Sequence, residues 1–149
     1  MDIRPATVED AERINALCLT LGYPSTIEET ERRIERVMKG ETSGIMVAEL
    51  CNLVVGFVTY HVVDVVHDDM PWGRISAIAV DENFRDMSIG KQLLECAEKS
   101  LKRNHCLRIE VTSHISREEA HGFYLHLGYR ITPLRFIKLL AHRVLVGAS

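Results

Sequence analysis

The run Ile78-Ala79-Val80 is short and apolar, and a polar loop follows it: Arg85-Asp86-Met87-Ser88-Ile89-Gly90-Lys91. From Ile89 onward, Ile89, Leu93, Leu94, Ala97 and Leu101 recur at helical spacing. A loop between a strand and a helix start aims several unpaired backbone N–H groups at one point, and the helix dipole adds positive potential there. Such a site favours anions, phosphates above all. Other reactive residue types are less organised. His61 and the run His67-Asp68-Asp69 are potential metal ligands, but their spacing is irregular and no cysteine joins them, so no metal is expected. Cys18, Cys51, Cys96 and Cys106 form no C-x-x-C pair and sit among apolar neighbours, where cysteine behaves as a small hydrophobe. Neither a disulfide framework nor a zinc site is expected.

The 149 residues are enough for one domain with its own core. A net charge of −3 without a basic patch argues against a nucleic-acid partner. The acidic start MDIRPATVEDAE lacks the apolar stretch of a signal peptide, and no apolar run reaches membrane-spanning length. A cytoplasmic location without a membrane partner is the expectation.

The elements that must position the loop can be read in order. Asp2 to Ala6 reads as a short edge strand, Pro5 suiting an edge. Thr7-x-x-Asp10 opens a helix with Ile14, Leu17, Cys18 and Leu21 on one face, stopped by Gly22-Tyr23-Pro24. Thr26-x-x-Glu29 opens a second, with Ile34, Val37 and Met38 inward and a charged outer face, ending at Lys39-Gly40. Ile45–Leu50 and Leu53–Val66 read as a hairpin turning at Cys51-Asn52, with Gly56 a bulge or close-approach site. After the loop His67–Pro71 comes a strand, Trp72–Val80, then the anion loop and a third helix ending near Asn104. Leu107–Thr112 reads as a strand. Ser116-x-x-Glu119 opens a fourth helix, with Ala120, Phe123, Tyr124 and Leu127 inward and Gly128 as its stop. Ile131–Leu140 supplies one or two closing strands. The order predicts an α/β (α+β) domain over residues 1–140, a central sheet of about six to seven strands with about four helices, and a tail at 141–149.

Two segments together resemble the GNAT superfamily of N-acetyltransferases. Arg85-x-x-Ser88-x-Gly90 is similar to its acyl-CoA loop, (Arg/Gln)-x-x-Gly-x-(Gly/Ala), and departs at Ser88. Ala120, Phe123, Tyr124, Gly128 and Tyr129 match its A-x-x-F-Y-x-x-x-G-F/Y segment. On spacing alone Phe123 and Tyr124 would be read as core; the two motifs in the right order, on the right elements, change that. The opening Ile3-Arg4-Pro5-Ala6 and the closing Arg135-Phe136-Ile137-Lys138 also look like the family. Thr112-Ser113, Arg117 to His121 and Arg135-Phe136 bring aminoalkylphosphonate N-acetyltransferases nearest.

The resemblance implies a mostly antiparallel GNAT sheet and transfer of an acetyl group from acetyl-CoA to the primary amine of a small molecule, by direct attack in a ternary complex. It leaves a homodimer open. It also implies that Arg85, Asp86, Met87, Ser88, Ile89, Gly90 and Lys91 hold the pyrophosphate. Backbone groups of Ile78, Ala79 and Val80, on a strand splayed from its neighbour, align the pantetheine arm and thioester. Tyr124 would protonate the leaving thiolate, since a phenol of pKa ~10 keeps its proton at neutral pH. An alkylamine of pKa ~10.4 is only roughly one part in a thousand neutral at pH 7, so a base is useful. Many relatives carry Glu on the central strand where this chain has Ser76. Glu110, the His67-Asp68-Asp69 loop, or a water chain from Ser76 are the substitutes. Ser88 would cost ~1–2 kcal/mol if the loop needs φ > 0 there, which a hydroxyl–phosphate contact could offset. Asp86 beside a pyrophosphate at ~4 Å would cost about 4 kcal/mol at a dielectric of ~20, so it is expected to face solvent. These departures motivate one competing expectation, a degenerate GNAT domain that binds CoA, or nothing, as a sensor or interaction module.

Overall fold

The computed structural model describes residues 1–85, 87–112, 118–132 and 136–141. The chain divides into two compact units, Met1–Val111 and Thr112–Ser149. The first contains β1 (Asp2–Pro5), a 3-10 turn (Val8–Asp10), α1 (Ala11–Thr20), α2 (Ile27–Lys39), β2 (Ser43–Leu50), β3 (Leu53–Val63), β4 (Trp72–Val80), a second 3-10 turn (Glu82–Phe84), α3 (Ile89–Arg103) and β5 (Ile109–Val111). The second contains α4 (Glu118–His126). The strands form one sheet in the order β1-β2-β3-β4-β5, antiparallel throughout except for the parallel β4–β5 pair. This is the expected mixed, mostly antiparallel sheet with four helices.

Its five strands are fewer than the six to seven expected. The apolar residues of Ile131–Leu140 do not add a strand at 131–132 or 136–140, and Pro133 to Arg135 lie outside the described residues. Ser116, the start of the third capping box, also lies outside them. β3 ends at Val63 rather than Val66, because its partner β4 begins at Trp72, in register with Val63. Beyond that pair no ladder supports the β-branched residues, and Val66 is fully exposed.

Local chemistry sets the element ends. Thr26 caps α2 by accepting from the Glu29 N–H at 3.1 Å, while the Glu29 carboxylate accepts from the Thr26 N–H at 3.0 Å. Cys51 and Asn52 both take left-handed φ, 51° and 63°, making the two-residue turn whose twist suits a hairpin. Gly22 (φ 90°) and Gly128 (φ 92°) close α1 and α4 in the same left-handed way.

Two cores flank the sheet. On one face Ala11, Ile14 and Leu17 of α1 and Ile34 of α2 pack on Ile45, Val47, Phe57 and Ala79. On the other, α3 lies against β3 and β4 with Leu93, Leu94, Ala97 and Leu101 fully buried. It comes close because two strand positions lack side chains. A Cβ on Gly56 would stand 3.0 Å from Leu93 Cδ1 and 3.1 Å from the Ala79 carbonyl oxygen, and one on Gly73 2.7 Å from Leu101 Cδ1. Gly56 is thus the close-approach site. The bulge beside it is formed by Val55, which the register skips between Ala48↔Gly56 and Glu49↔Val54.

A charged clasp fixes β1 to the start of α1 and to β2. Both terminal nitrogens of Arg4 reach the Asp10 carboxylate at 2.9 Å, and Nε and Nη2 reach Glu49 Oε2 at 2.9 and 2.6 Å. Asp10 also accepts from the Thr7 N–H at 2.8 Å and is buried. The Arg4 guanidinium, with help from the Thr7 N–H, holds the Asp10 carboxyl below its ordinary range against the opposing effect of burial. A depressed folded pKa contributes stability that is present above the unfolded value, near ~3.9, and lost as pH falls through the folded value. Asp10→Asn is expected to cost on the order of 2 kcal/mol at pH 7. It should also flatten the acid limb below about pH 4. Urea unfolding across pH 2–7 checks both, and an unchanged acid limb would remove Asp10 from the clasp.

Candidate active site

The first unit places the anion loop at the exit of β4. Asp81 accepts from the Asn83 N–H at 2.9 Å to start the 3-10 turn, and Arg13 of α1 grips its carboxylate at 2.7 Å while donating to the Val54 carbonyl at 2.9 Å. The Asn83 N–H first, then Arg13, hold the Asp81 carboxyl below its ordinary range. After Arg85, which is exposed, Ser88 forms the N-cap of α3 with φ 59° and ψ 21°. This is the left-handed backbone anticipated as the cost of a serine there. Its hydroxyl makes no cap bond, and the first intrahelical bond runs from the Gln92 N–H to the Ser88 carbonyl at 3.0 Å. The N–H groups of Ile89, Gly90 and Lys91 therefore lack helical acceptors by construction. Met87 is half exposed, Ile89 is buried and anchors the turn, and Lys91 pairs loosely with Glu95 at 3.9 Å. Asp86 lies outside the described residues.

Among the described residues, the strand leading into the loop is paired on both sides only over its first part. β5 matches Gly73, Arg74 and Ile75 with Ile109, Glu110 and Val111 and stops there. From Ser76 to Val80, including Ile78, Ala79 and Val80, the described ladder runs to β3 alone. Among the described residues, no strand is paired with the other edge of that stretch.

Ser76 is the extra residue of a bulge in β4, skipped between Thr59↔Ala77 and Tyr60↔Ile75. Its exposed Oγ lies 2.7 Å from His61 Nε2, and His61 Nδ1 lies 2.9 Å from Ser43 Oγ. Burial, then the nearby Arg74 charge, pushes the His61 pKa below its ordinary value. The sequence considered His61 only as a metal ligand and did not single out Ser43. Both belong together through register: the Val55 bulge brings Ser43 opposite His61, and Ser76 lies two residues beyond Arg74, the β4 partner of His61. Without the Val55 bulge, counting back from the Cys51-Asn52 turn would have set Ser43 opposite Tyr60.

The other sequence candidates are held elsewhere. Glu110 is in register with Arg74 and ion-paired to Arg108 at 2.8 Å, whose guanidinium stacks 4.0 Å over Trp72. Asp68 accepts from Trp72 Nε1 at 3.1 Å, and His67 meets the same indole edge-on. Among the described residues no group of three or more His, Cys, Asp or Glu is placed to hold a metal. Burial raises the thiol pKa of Cys18, Cys96 and Cys106. In the second unit, Tyr124 on α4 packs edge-on to Phe123 and Tyr129 at 5.3 and 5.8 Å, and the Tyr124 carbonyl accepts from the Tyr129 N–H at 3.0 Å to close the helix.

The sequence model of the Acetyltransferase (GNAT) family matches residues 9–129. The chain belongs to this family. An aminoalkylphosphonate N-acetyltransferase of Salmonella typhimurium is 34% identical over 87 residues, 58% of this chain and 56% of that protein, so the match spans little more than half its length. Among solved structures, an aminoglycoside N-acetyltransferase in complex with CoA superposes with a TM-score of 0.81 at 19% identity, covering 94% of this chain and 95% of that one. A tetramutant of a Bacillus halodurans protein gives 0.81 at 23%, covering 94% and 100%. These likenesses establish a GNAT fold. Among the described residues no helix is long and apolar enough to cross a membrane.

Ser88 is the strained residue of this GNAT loop. Ser88→Gly is expected to raise stability by about 1 kcal/mol, because glycine adopts φ 59° without a Cβ penalty. Affinity for CoA should be kept or tightened, as read by calorimetry. Lost affinity would mean that the hydroxyl itself contacts the ligand.

Proposed function

We propose that the chain transfers an acetyl group from acetyl-CoA to the primary amine of a small molecule by direct attack within a ternary complex. The observation that carries this reading is the helix start at Ile89, Gly90 and Lys91, uncapped by any described side chain, at the end of a strand that among the described residues pairs only with β3 from Ser76 onward. In a GNAT chain that pairing supports a pyrophosphate on the N–H groups of the loop Arg85 to Lys91, Asp86 and Met87 included, with the Arg85 and Lys91 side chains adding positive charge. The pantetheine arm then runs along Ile78, Ala79 and Val80, and their N–H and C=O groups orient the thioester carbonyl.

In this reading the neutral amine nitrogen attacks the thioester carbonyl carbon, the C–S bond breaks with its electrons on sulfur, Tyr124 supplies the sulfur's proton, and the proton shed by the acylated nitrogen returns through water to the phenolate. Ser76 and Glu110 are the residues assigned to the amine side. Residues 1–140 act as one domain in a cytoplasmic enzyme, and the expected tail lies outside the described residues from position 142 on. Aminoalkylphosphonates head the list of acceptors because the Salmonella relative is named for them.

Acetyl-CoA at a hundredfold excess over Kd should stabilise the fold by about 2.7 kcal/mol. An unchanged melting temperature at millimolar acetyl-CoA would count against donor binding altogether. Thiol release with an amine panel then separates an enzyme from a CoA-binding module. Tyr124→Phe keeps the ring contacts with Phe123 and Tyr129 and removes only the phenolic proton. It is expected to lower kcat by ~10²–10⁴-fold with little change in the KM for acetyl-CoA. Full turnover in this variant would assign the tyrosine to packing.

A further inference from the structure

A GNAT chain acting on an ammonium group needs a proton acceptor, and Ser76, where the family resemblance implies a carboxylate, is a hydroxyl. A serine hydroxyl cannot hold a proton as a base, but it can pass one on. Both ring nitrogens of His61 are engaged by hydroxyls from the flanking strands, Ser43 of β2 and Ser76 of β4, at 2.9 and 2.7 Å. Two hydrogen bonds fix the plane of the ring. A neutral imidazole has one donor and one acceptor nitrogen. With Nδ1–H donating to Ser43 Oγ, Nε2 accepts from the Ser76 hydroxyl, and that hydroxyl is the exposed end of the chain.

We infer that the acceptor amine loses its proton through the Ser76 hydroxyl to His61, a relay that takes the place of a strand carboxylate. The inference rests on the acetyltransferase reading above. In the step, an N–H bond of the ammonium breaks and its proton moves to Ser76 Oγ. The proton already on Ser76 Oγ moves to His61 Nε2. The freed lone pair attacks the thioester carbon, and the imidazolium later gives its proton to water. One positive charge passes from ammonium to imidazolium, so the step balances.

The surroundings favour a neutral ring at rest. Imidazole titrates near ~6.5 when unperturbed, and burial together with Arg74 shifts His61 downward. Arg74 on β4 is the charged residue in register with His61, Ser43 on β2 is neutral, and Glu110 on β5, opposite Arg74, is ion-paired to Arg108. At pH 7 the ring is therefore ready to accept, and it is switched off only as pH falls through its lowered pKa.

The test compares wild type, His61→Gln and Ser76→Ala by thiol release from acetyl-CoA, with aminoethylphosphonate and ethanolamine as acceptors, across pH 5 to 9. Wild type should show an acid limb in kcat/KM below pH ~6.5. Both variants should fall by ~10²–10⁴-fold at pH 7 with acetyl-CoA affinity unchanged, and His61→Gln should lose the acid limb. Ser76 is exposed, so its variant keeps the fold, and melting curves with calorimetry verify this for both. Wild-type rate and acid limb retained in Ser76→Ala, or in a folded His61→Gln, would overturn the relay and leave the acetyltransferase reading intact. No turnover by wild type with either amine would overturn that reading, and the relay with it.

Discussion

The contact on which the rest of the site depends is the seating of α3 against β3 and β4 at two positions that have no side chain. Gly56 lets Leu93 and Ile89 come within van der Waals range of the strand backbone, and Gly73 does the same for Leu101. A helix seated this closely cannot slide, because its neighbours are backbone atoms and fully buried leucines. Its N-terminus is thereby held at a fixed place relative to the end of β4. The left-handed Ser88 follows from the same constraint. The chain must leave β4, make one 3-10 turn and enter a helix whose position is already set. The strain is confined to one residue at the point where the ligand is expected, a common place for such strain.

Much of this was legible in the sequence because it is local. The strand Trp72–Val80, the start of α3 at Ile89, the Thr26–Glu29 box and the Cys51-Asn52 turn depend on residues a few positions apart, and each stands where the residue pattern puts it. What was not legible depends on partners distant in sequence. β5 keeps only Ile109 to Val111 of the expected Leu107–Thr112, although the Arg108 carbonyl still accepts from the Gly73 N–H at 2.8 Å. The extra length of β3 failed for want of a partner strand. The Ser43–His61–Ser76 chain is the clearest case. Three polar residues on three strands meet where the Val55 bulge shifts the pairing of Ser43 to His61, and a bulge leaves a faint mark in sequence. Gly56 pointed to the region of that bulge. Nothing comparable marked Ser76, whose interest came from the glutamate it replaces.

The two faces of the sheet divide the work of the domain between them. The α3 face is dry and close-packed, and it sets the geometry of the loop. The α1–α2 face carries the Arg4–Asp10–Glu49 clasp, the Arg13 grip on Asp81 and Val54, and the hydroxyl–imidazole chain. Arg13 connects the two: from α1 it holds the carboxylate that begins the turn toward the loop. Polar interactions on this face are therefore mostly paired side chains that join elements far apart in the chain, the arrangement in which part-buried charge contributes specificity as well as stability.

The cysteines' surroundings have a consequence for the proposed use of an acyl-thioester. Thiolates, not thiols, attack acyl-thioesters, and an activated acyl donor exchanges readily with any thiolate nearby. Partial burial raises the thiol pKa of Cys18, Cys96 and Cys106, which disfavours their thiolates. Only Cys51, at the tip of the β2–β3 hairpin, is exposed. In the proposed reaction, raised thiol pKa values at these three positions would disfavour self-acylation and leave the donor's acyl group for nitrogen rather than sulfur.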